Sequence, residues 1–266
     1  MRFINQLLLI VLFSSLLSCK KVIEIDVKNS DTKYVIEGII TNEPGSCKVI
    51  ISQTNPFYAD NNFRMASGAQ VKITNNSTQY SLAQASPGIY QNLSIVGVPG
   101  QLYQLSVTIN NEVFTANCIM PVPVVLDTLY ISPGPFGQFK FATIAFTDPV
   151  NINNGYRFVQ YVNGIKDPRI FWENDELTDG EKVVLQLDTG VDKKDDPRNI
   201  NSGDEVTIEM QSLDEAIYKY WYSLRTGGGD GTGNTAAPAN PLTNITGGAL
   251  GYFSAHTINR KMAIAP

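Results

Sequence analysis

Side chains able to do acid–base or nucleophilic chemistry are few in this chain. His256 is the one histidine among 266 residues. That excludes a metal centre built on several imidazoles, and no H-E-x-x-H stretch occurs. A serine triad could draw only on His256, and no G-x-S-x-G surrounds any serine. With Tyr252 and Phe253 just before it, His256 reads as a strand residue. The run ENDELTDGE, Glu173 to Glu181, gathers carboxylates. Glycosidase pairs stand about 5 to 9.5 Å apart and come from separate strands, so this cluster reads as a solvated loop. A weak calcium site is the alternative, although the D-x-D-x-D-G spacing is missing. The glycine-rich stretch 227–234 lacks the Gly-Lys-Ser/Thr ending of a phosphate loop and follows a helix instead of opening one. It reads as a loop, whose functional use would be as a mobile flap. No catalytic residue, metal ligand or cofactor motif is assigned.

Three cysteines complete the reactive inventory. Cys19 ends the stretch LLSC, after Arg2 and an apolar run from Leu7 to Phe13. The run is shorter than the about 20 residues a membrane-crossing helix needs, and has the layout of a secretory signal. Ser18 directly before the cysteine, with leucines at the two preceding positions, resembles the lipobox of bacterial lipoproteins. In that class the thiol receives a diacylglyceryl group and cleavage leaves the cysteine first. The alternative is an ordinary signal peptide with an incidental cysteine. Several acyl chains on one residue anchor far more firmly than one, so the expectation is a tethered protein and not an embedded one. Lysines 20 and 21 replace the aspartate that retains lipoproteins at the inner membrane in well-studied bacteria. By that analogy the outer membrane is favoured, with the leaflet left open. Cys47 and Cys118 fall on apolar, core-facing rows of two strands. They are either a disulfide, if their Cα atoms approach within about 7 Å, or two buried thiols.

Charged residues make up 17% of the chain, below the average of about 25%, and the net charge is −5. That argues against nucleic-acid binding, which needs a basic stripe. Aromatics are the remaining binding candidates. Trp172, Tyr222 and Tyr252 are the ones placed to stack on a small ligand, peptide or glycan, although core packing is the commoner use of such residues.

The elements that would carry these residues are short strands. Residues 1–18 form the signal and 19–33 a tether. VIEGII and CKVII flank Asn42-Glu43-Pro44-Gly45 as a hairpin. Further alternating runs follow, with turns at Asn75-Asn76, Pro99-Gly100 and Asn110-Asn111. Roughly seven strands in about a hundred residues predict an immunoglobulin-like β-sandwich over 34–122. Pro121 and Pro123 interrupt pairing and mark a boundary. Residues 123–266 read as a second β-rich domain. Its one helix spans about 213–225, opened by Ser212 and Glu215 in capping-box spacing. The fold class is therefore mainly β.

The lipobox, VIEGIITNEPG, the MPVP boundary, FTDPVNINNGYRF and above all APANPLTNITGGALGYFSAHT resemble a Bacteroidetes outer-membrane lipoprotein family, domain-of-unknown-function family 4249. The similarity runs over nearly all of the chain after the signal. It implies an outer-membrane lipoprotein with an N-terminal β-sandwich, from genes that often neighbour TonB-dependent receptors. The family carries no established binding or catalytic residues, so none transfer. Within the closing block, Gly247, Gly248 and Gly251 permit backbone shapes closed to other residues, and Asn244 can bridge backbone groups. That is a structural reading of the block. With the lipobox, the two β-rich domains and the lack of catalytic residues, the resemblance leads to the expectation of a non-enzymatic accessory that docks on a TonB-dependent transporter and helps capture or admit its substrate. The alternatives are a free-standing adhesive module and an extracytoplasmic hydrolase.

Overall fold

The computed structural model describes residues 31–56, 62–134, 139–174, 178–190, 196–227 and 240–266. Cys19, the signal, most of the tether and all but the first residue of the glycine-rich stretch lie outside them. The described chain is mainly β, with one helix and two stacked-sheet cores.

The first core begins with the hairpin of β1 (Tyr34–Thr41) and β2 (Lys48–Gln53), turned by Gly45 at φ 74°. A two-residue strand, β3 (Arg64–Met65), adds to β2. Next come β4 (Gln70–Asn75), β5 (Thr78–Ser86), β6 (Ile89–Gln91), β7 (Leu102–Ile109) and β8 (Glu112–Ile119). The β4–β5 and β7–β8 turns each place two successive residues at positive φ: Asn76 and Ser77, then Asn110 and Asn111. Such turns match the right-handed twist of paired strands and favour asparagine.

β5 belongs to both layers. Thr78 to Leu82 pair with β4, whereas Ala83 to Ser86 pair with β6 through a register shift. A bulge of this kind bends a strand, and here it carries β5 from one sheet to the facing one. Inward residues from both layers, among them Ile36, Val49, Ile73, Tyr90, Leu105 and Phe114, form the core.

The second core lies between two further layers. One is β9 (Leu126–Pro133), β10 (Lys140–Thr147) and β14 (Lys182–Leu187). The other holds β11 (Gly155–Val162), β12 (Ile165–Lys166), β13 (Phe171–Asn174) and β15 (Glu205–Leu213). Phe146 sits between them with its ring 4.8 Å from Tyr156 and 5.8 Å from Phe158.

The two cores part between Met120 and Val124, where Pro121 and Pro123 stand, but the closing segment crosses that point. After β16 (Ile245–Thr246), which pairs with β8, the long strand β17 (Leu250–Ile264) serves both halves. Leu250 to His256 pair in parallel with β1, and Thr257 to Ile264 pair antiparallel with β15. The sandwich of 34–122 therefore takes an edge strand from the far end of the chain.

The closing block has a structural job that its residue types foreshadow. Asn244 Nδ2 donates to the carbonyls of Asn117 (3.1 Å) and Phe253 (2.8 Å), and its Oδ1 accepts from the Phe253 N–H (3.0 Å). One side chain thus ties β8 to β17. Gly251 sits at φ 97°, where a Cβ would stand 2.1 Å from the Ile36 carbonyl oxygen. Only glycine lets β17 lie against β1 there.

The helix α1 (Glu215–Gly227) is capped by Asp214, whose Oδ1 accepts from the Ile217 N–H at 3.0 Å. Ser212, expected in that role, is held in β15 opposite Tyr156 and Thr257, with its Oγ accepting from the Val124 N–H. Sheet pairing through Leu213 pushes the helix start two residues on. Ile217 and Tyr220 are buried under α1, and Trp221 and Leu224 pack beside them.

Candidate functional site

Where β17 passes from one half to the other, its even-numbered residues face the side covered by α1 and the β1–β2 turn. Tyr252, Ser254, His256, Ile258 and Arg260 share that face by strand alternation. Ile39 and Thr41 of β1 lie on one side of them, and Gln211, Glu209 and Arg157 of β15 and β11 on the other. Trp221 of α1 roofs one end, and Glu43 and Ser46 of the β1–β2 turn close the other. Together these residues line a half-open cleft of ≈ 250 Å³.

Its polar groups are fixed by one another. Arg260 donates from Nε (3.0 Å) and Nη2 (2.8 Å) to Glu209 Oε2, and from Nη1 to Glu43 Oε1. Glu209 is almost buried, whereas Arg260 and Glu43 stand at the rim. A two-point guanidinium–carboxylate contact on a buried acid is a strong, directional arrangement. Glu209 Oε1 also accepts from Gln211 Nε2 at 2.6 Å, and Gln211 Oε1 accepts from Arg157 Nη1 at 3.1 Å. The Arg157 guanidinium lies 3.8 Å from the centre of the Trp221 ring, a cation–π stack. Burial pulls Arg157 below its usual value, with Tyr252 and Glu209 acting the other way. Its Nε–H has no hydrogen-bond partner.

His256 is 4% exposed, and its Nδ1 is 2.8 Å from Ser254 Oγ. Burial first, and the Arg157 charge second, depress its imidazole to about 3. The ring is therefore neutral at any ordinary pH. Burial likewise pushes the Tyr220 hydroxyl up to about 12, so it stays protonated beside the cleft.

The three aromatics expected to contact ligand part company. Tyr252 is 6% exposed and packs against Tyr220 (ring centres 4.7 Å) and Trp221 (5.2 Å), on the floor of the cleft. Trp172 and Tyr222 meet edge to face with ring centres 4.9 Å apart, with Tyr218 beside them, and do not line it. Tyr222 is exposed. Cys47 and Cys118 are both free thiols, buried in the first core. Cys118 Sγ takes the Ala255 N–H at 3.1 Å, so the thiol serves to dock β8 on β17. Burial raises both thiols, Cys47 to about 12, which makes them unreactive at neutral pH. Cys19 and residues 175–177 of the acidic run lie outside the described residues. Among the described residues no group of three or more His, Cys, Asp or Glu side chains could hold a metal.

Sequence reasoning missed Arg157, Glu209, Gln211, Trp221, Arg260 and Glu43. One signal was available. In EVTIEMQSL the long polar residues Glu209 and Gln211 alternate with core residues, and GYRFVQY sets Arg157 between the buried Tyr156 and Phe158. A strand covered by sheet on one side and by a helix on the other has no reason to carry buried Arg, Glu and Gln unless they bond to each other or to something else.

Comparison with known proteins adds little about chemistry. No curated protein matches the chain. Among solved structures, a cytokine receptor complex is similar at 8% identity and TM-score 0.26, over 70% of this chain and 93% of that one. The chicken interferon gamma receptor alpha chain is similar at 7% identity and TM-score 0.21, over 68% and 89%. The FN1–FN3 domains of chicken CNTN1 are similar at 10% and 0.20, over 86% and 64%. At those TM-scores the likenesses carry no argument. The family comparison is of another kind, since one model covers residues 20–262. The chain belongs to the family described as Domain of unknown function (DUF4249).

Proposed function

We propose that the protein is a lipid-anchored outer-membrane accessory of a TonB-dependent transporter, and that it captures a small ligand at the Arg157–Trp221 cleft. The observation that carries the capture role is the network across that cleft. Arg260 is held by two glutamates, and Arg157 is stacked and oriented but keeps a donor unused. Pre-oriented groups of this kind lower the ordering cost of binding. They suit turnover poorly. A general base works best with a pKa near the operating pH, and His256 sits near 3. Support for the anchor comes from Ser18-Cys19 after the apolar run, and for the setting from the family resemblance. No helix among the described residues is long and apolar enough to cross a membrane.

The test is a gentle detergent extraction of native outer membranes, pulling on a C-terminally tagged chain and identifying partners by mass spectrometry. A TonB-dependent receptor in near-equal amount is the expected result. The chain alone, under conditions that keep other receptor complexes intact, would point to a free-standing surface module. Cys19→Ser should release the protein from membranes, and unchanged membrane association would overturn the anchor.

A second reading has one observation in its favour, the Ser254–His256 pair. A hydrolase built on it would label with a fluorophosphonate at Ser254. The depressed imidazole makes the serine a poor nucleophile, and no labelling is expected.

A further inference from the structure

We infer that the cleft takes one carboxylate group of a small hydroxylated acid, seated on the Arg157 guanidinium. This deepens the capture reading and rests on it. Three observations converge. First, Arg157 Nε–H is buried without a partner, although Nη1 is bound by Gln211 and the guanidinium face is held by Trp221. An unsatisfied buried donor is costly, and native structures rarely keep one without a use. The plane of the fork is set by the stack, which is the pre-orientation that planar, two-point recognition of a carboxylate requires.

Second, among the described residues Arg157 is the one cation of the lining without an acid in direct contact. Both glutamates of the lining, Glu43 and Glu209, are bonded to Arg260, so neither neutralises Arg157 by direct contact. They nonetheless stand in the same cleft. A single carboxylate meets the Arg157 charge, whereas a phosphate dianion would place a second negative charge beside two acids. Third, the rest of the lining carries the Tyr252 hydroxyl and the hydroxyls of Thr41, Ser46 and Ser254, each of the last three bonded once or twice within the chain and keeping further capacity toward a ligand, with the apolar sides of Ile39 and Ile258. That mixture suits a short hydroxylated skeleton, and ≈ 250 Å³ limits the ligand to about the size of one sugar ring.

The test uses the full chain purified in detergent. Acetate, L-lactate and D-glucuronate are titrated by calorimetry and by fluorescence, since Trp221 stacks on the binding group. The methyl ester of D-glucuronate and inorganic phosphate are the comparison probes. The expected result is saturable binding of at least one of the acids, strongest for the hydroxylated ones. The uncharged ester should bind about tenfold more weakly or worse than glucuronate, because charge-assisted hydrogen bonds are roughly twice as strong as neutral ones. Arg157→Lys should weaken the acid about tenfold by losing the fork, and Arg157→Gln should abolish saturation. The acid–ester comparison on the unaltered chain decides the matter even where a variant folds poorly. Equal binding of ester and acid, tighter binding of phosphate, or silence from all three acids would each overturn the inference. Equal binding of ester and acid leaves capture at the cleft intact, and absence of a co-purified receptor removes the transporter role whatever the titrations show.

Discussion

His256 makes the stability of this protein depend on pH in a calculable way. Its folded-state value of about 3 lies well below the ordinary 6.5, because the ring is buried and the Arg157 cation faces it. As pH falls, the unfolded chain takes up a proton at this position and the folded chain does not. The stabilisation is thus complete above about 6.5 and is lost progressively as pH falls toward 3. Between pH 7 and pH 5, a reference value of 6.5 with negligible protonation of the native ring gives a loss of about 2 kcal/mol. The perturbation is His256→Gln, which cannot titrate but can still bond Ser254. Carboxylates contribute equally to both chains, so the difference between them isolates the imidazole. Urea unfolding followed by tryptophan fluorescence at the two pH values reads it directly. The wild type should lose about 2 kcal/mol more than the variant over that interval. A difference below about 0.5 kcal/mol would mean that the ring is solvated or already protonated in the native protein, and the account of His256 as a buried, neutral ring facing the Arg157 cation would fail.

Gly251→Ala should cost about 3 kcal/mol or more, through positive φ and the clash with the Ile36 carbonyl, whereas Gly248→Ala, at φ 89° but with open space around it, should cost only the backbone strain of about 1 kcal/mol. Equal effects in thermal unfolding would contradict the close β1–β17 approach. Gln160 is fully buried among the inward residues of β11, with neither amide atom bonded, so Gln160→Met should raise stability by about 1 kcal/mol or more in urea unfolding. Asp214→Ala should lower it by about 1 kcal/mol through loss of the α1 cap, and Ser212→Ala should leave the helix signal in circular dichroism unchanged.

Local chemistry in the chain was enough to read most of the elements. Turn residues such as Asn110-Asn111 and the alternation in QLYQLSVTIN act over a few positions, and the structure places β7, β8 and their turn where those signals stand. The structural roles of Asn244 and Gly251 are legible too, because an amide that bridges backbone and a residue without a Cβ have few other uses in such a block. Three short strands, β3, β12 and β16, carry too few residues for any periodicity and appear only through their partners. The helix start shifted for a similar reason. Ser212 and Glu215 satisfy a local capping rule, but a long-range ladder with β11 and β17 outcompetes it.

The cleft was illegible for a deeper reason. Alternation assigns side chains to one of two strand faces, yet it cannot tell which face will be covered, or by what. Here β1 lies beside β17 although more than two hundred residues separate Ile39 from Ser254 in sequence, and that parallel pairing joins the two halves of the fold. Only then do Glu43, Arg157, Glu209 and Arg260 share one small volume, with Trp221 stacked on Arg157. The address and the strand inventory follow from residues acting on near neighbours. The site follows from which distant strands pair, and that is decided by how the whole chain buries its apolar faces.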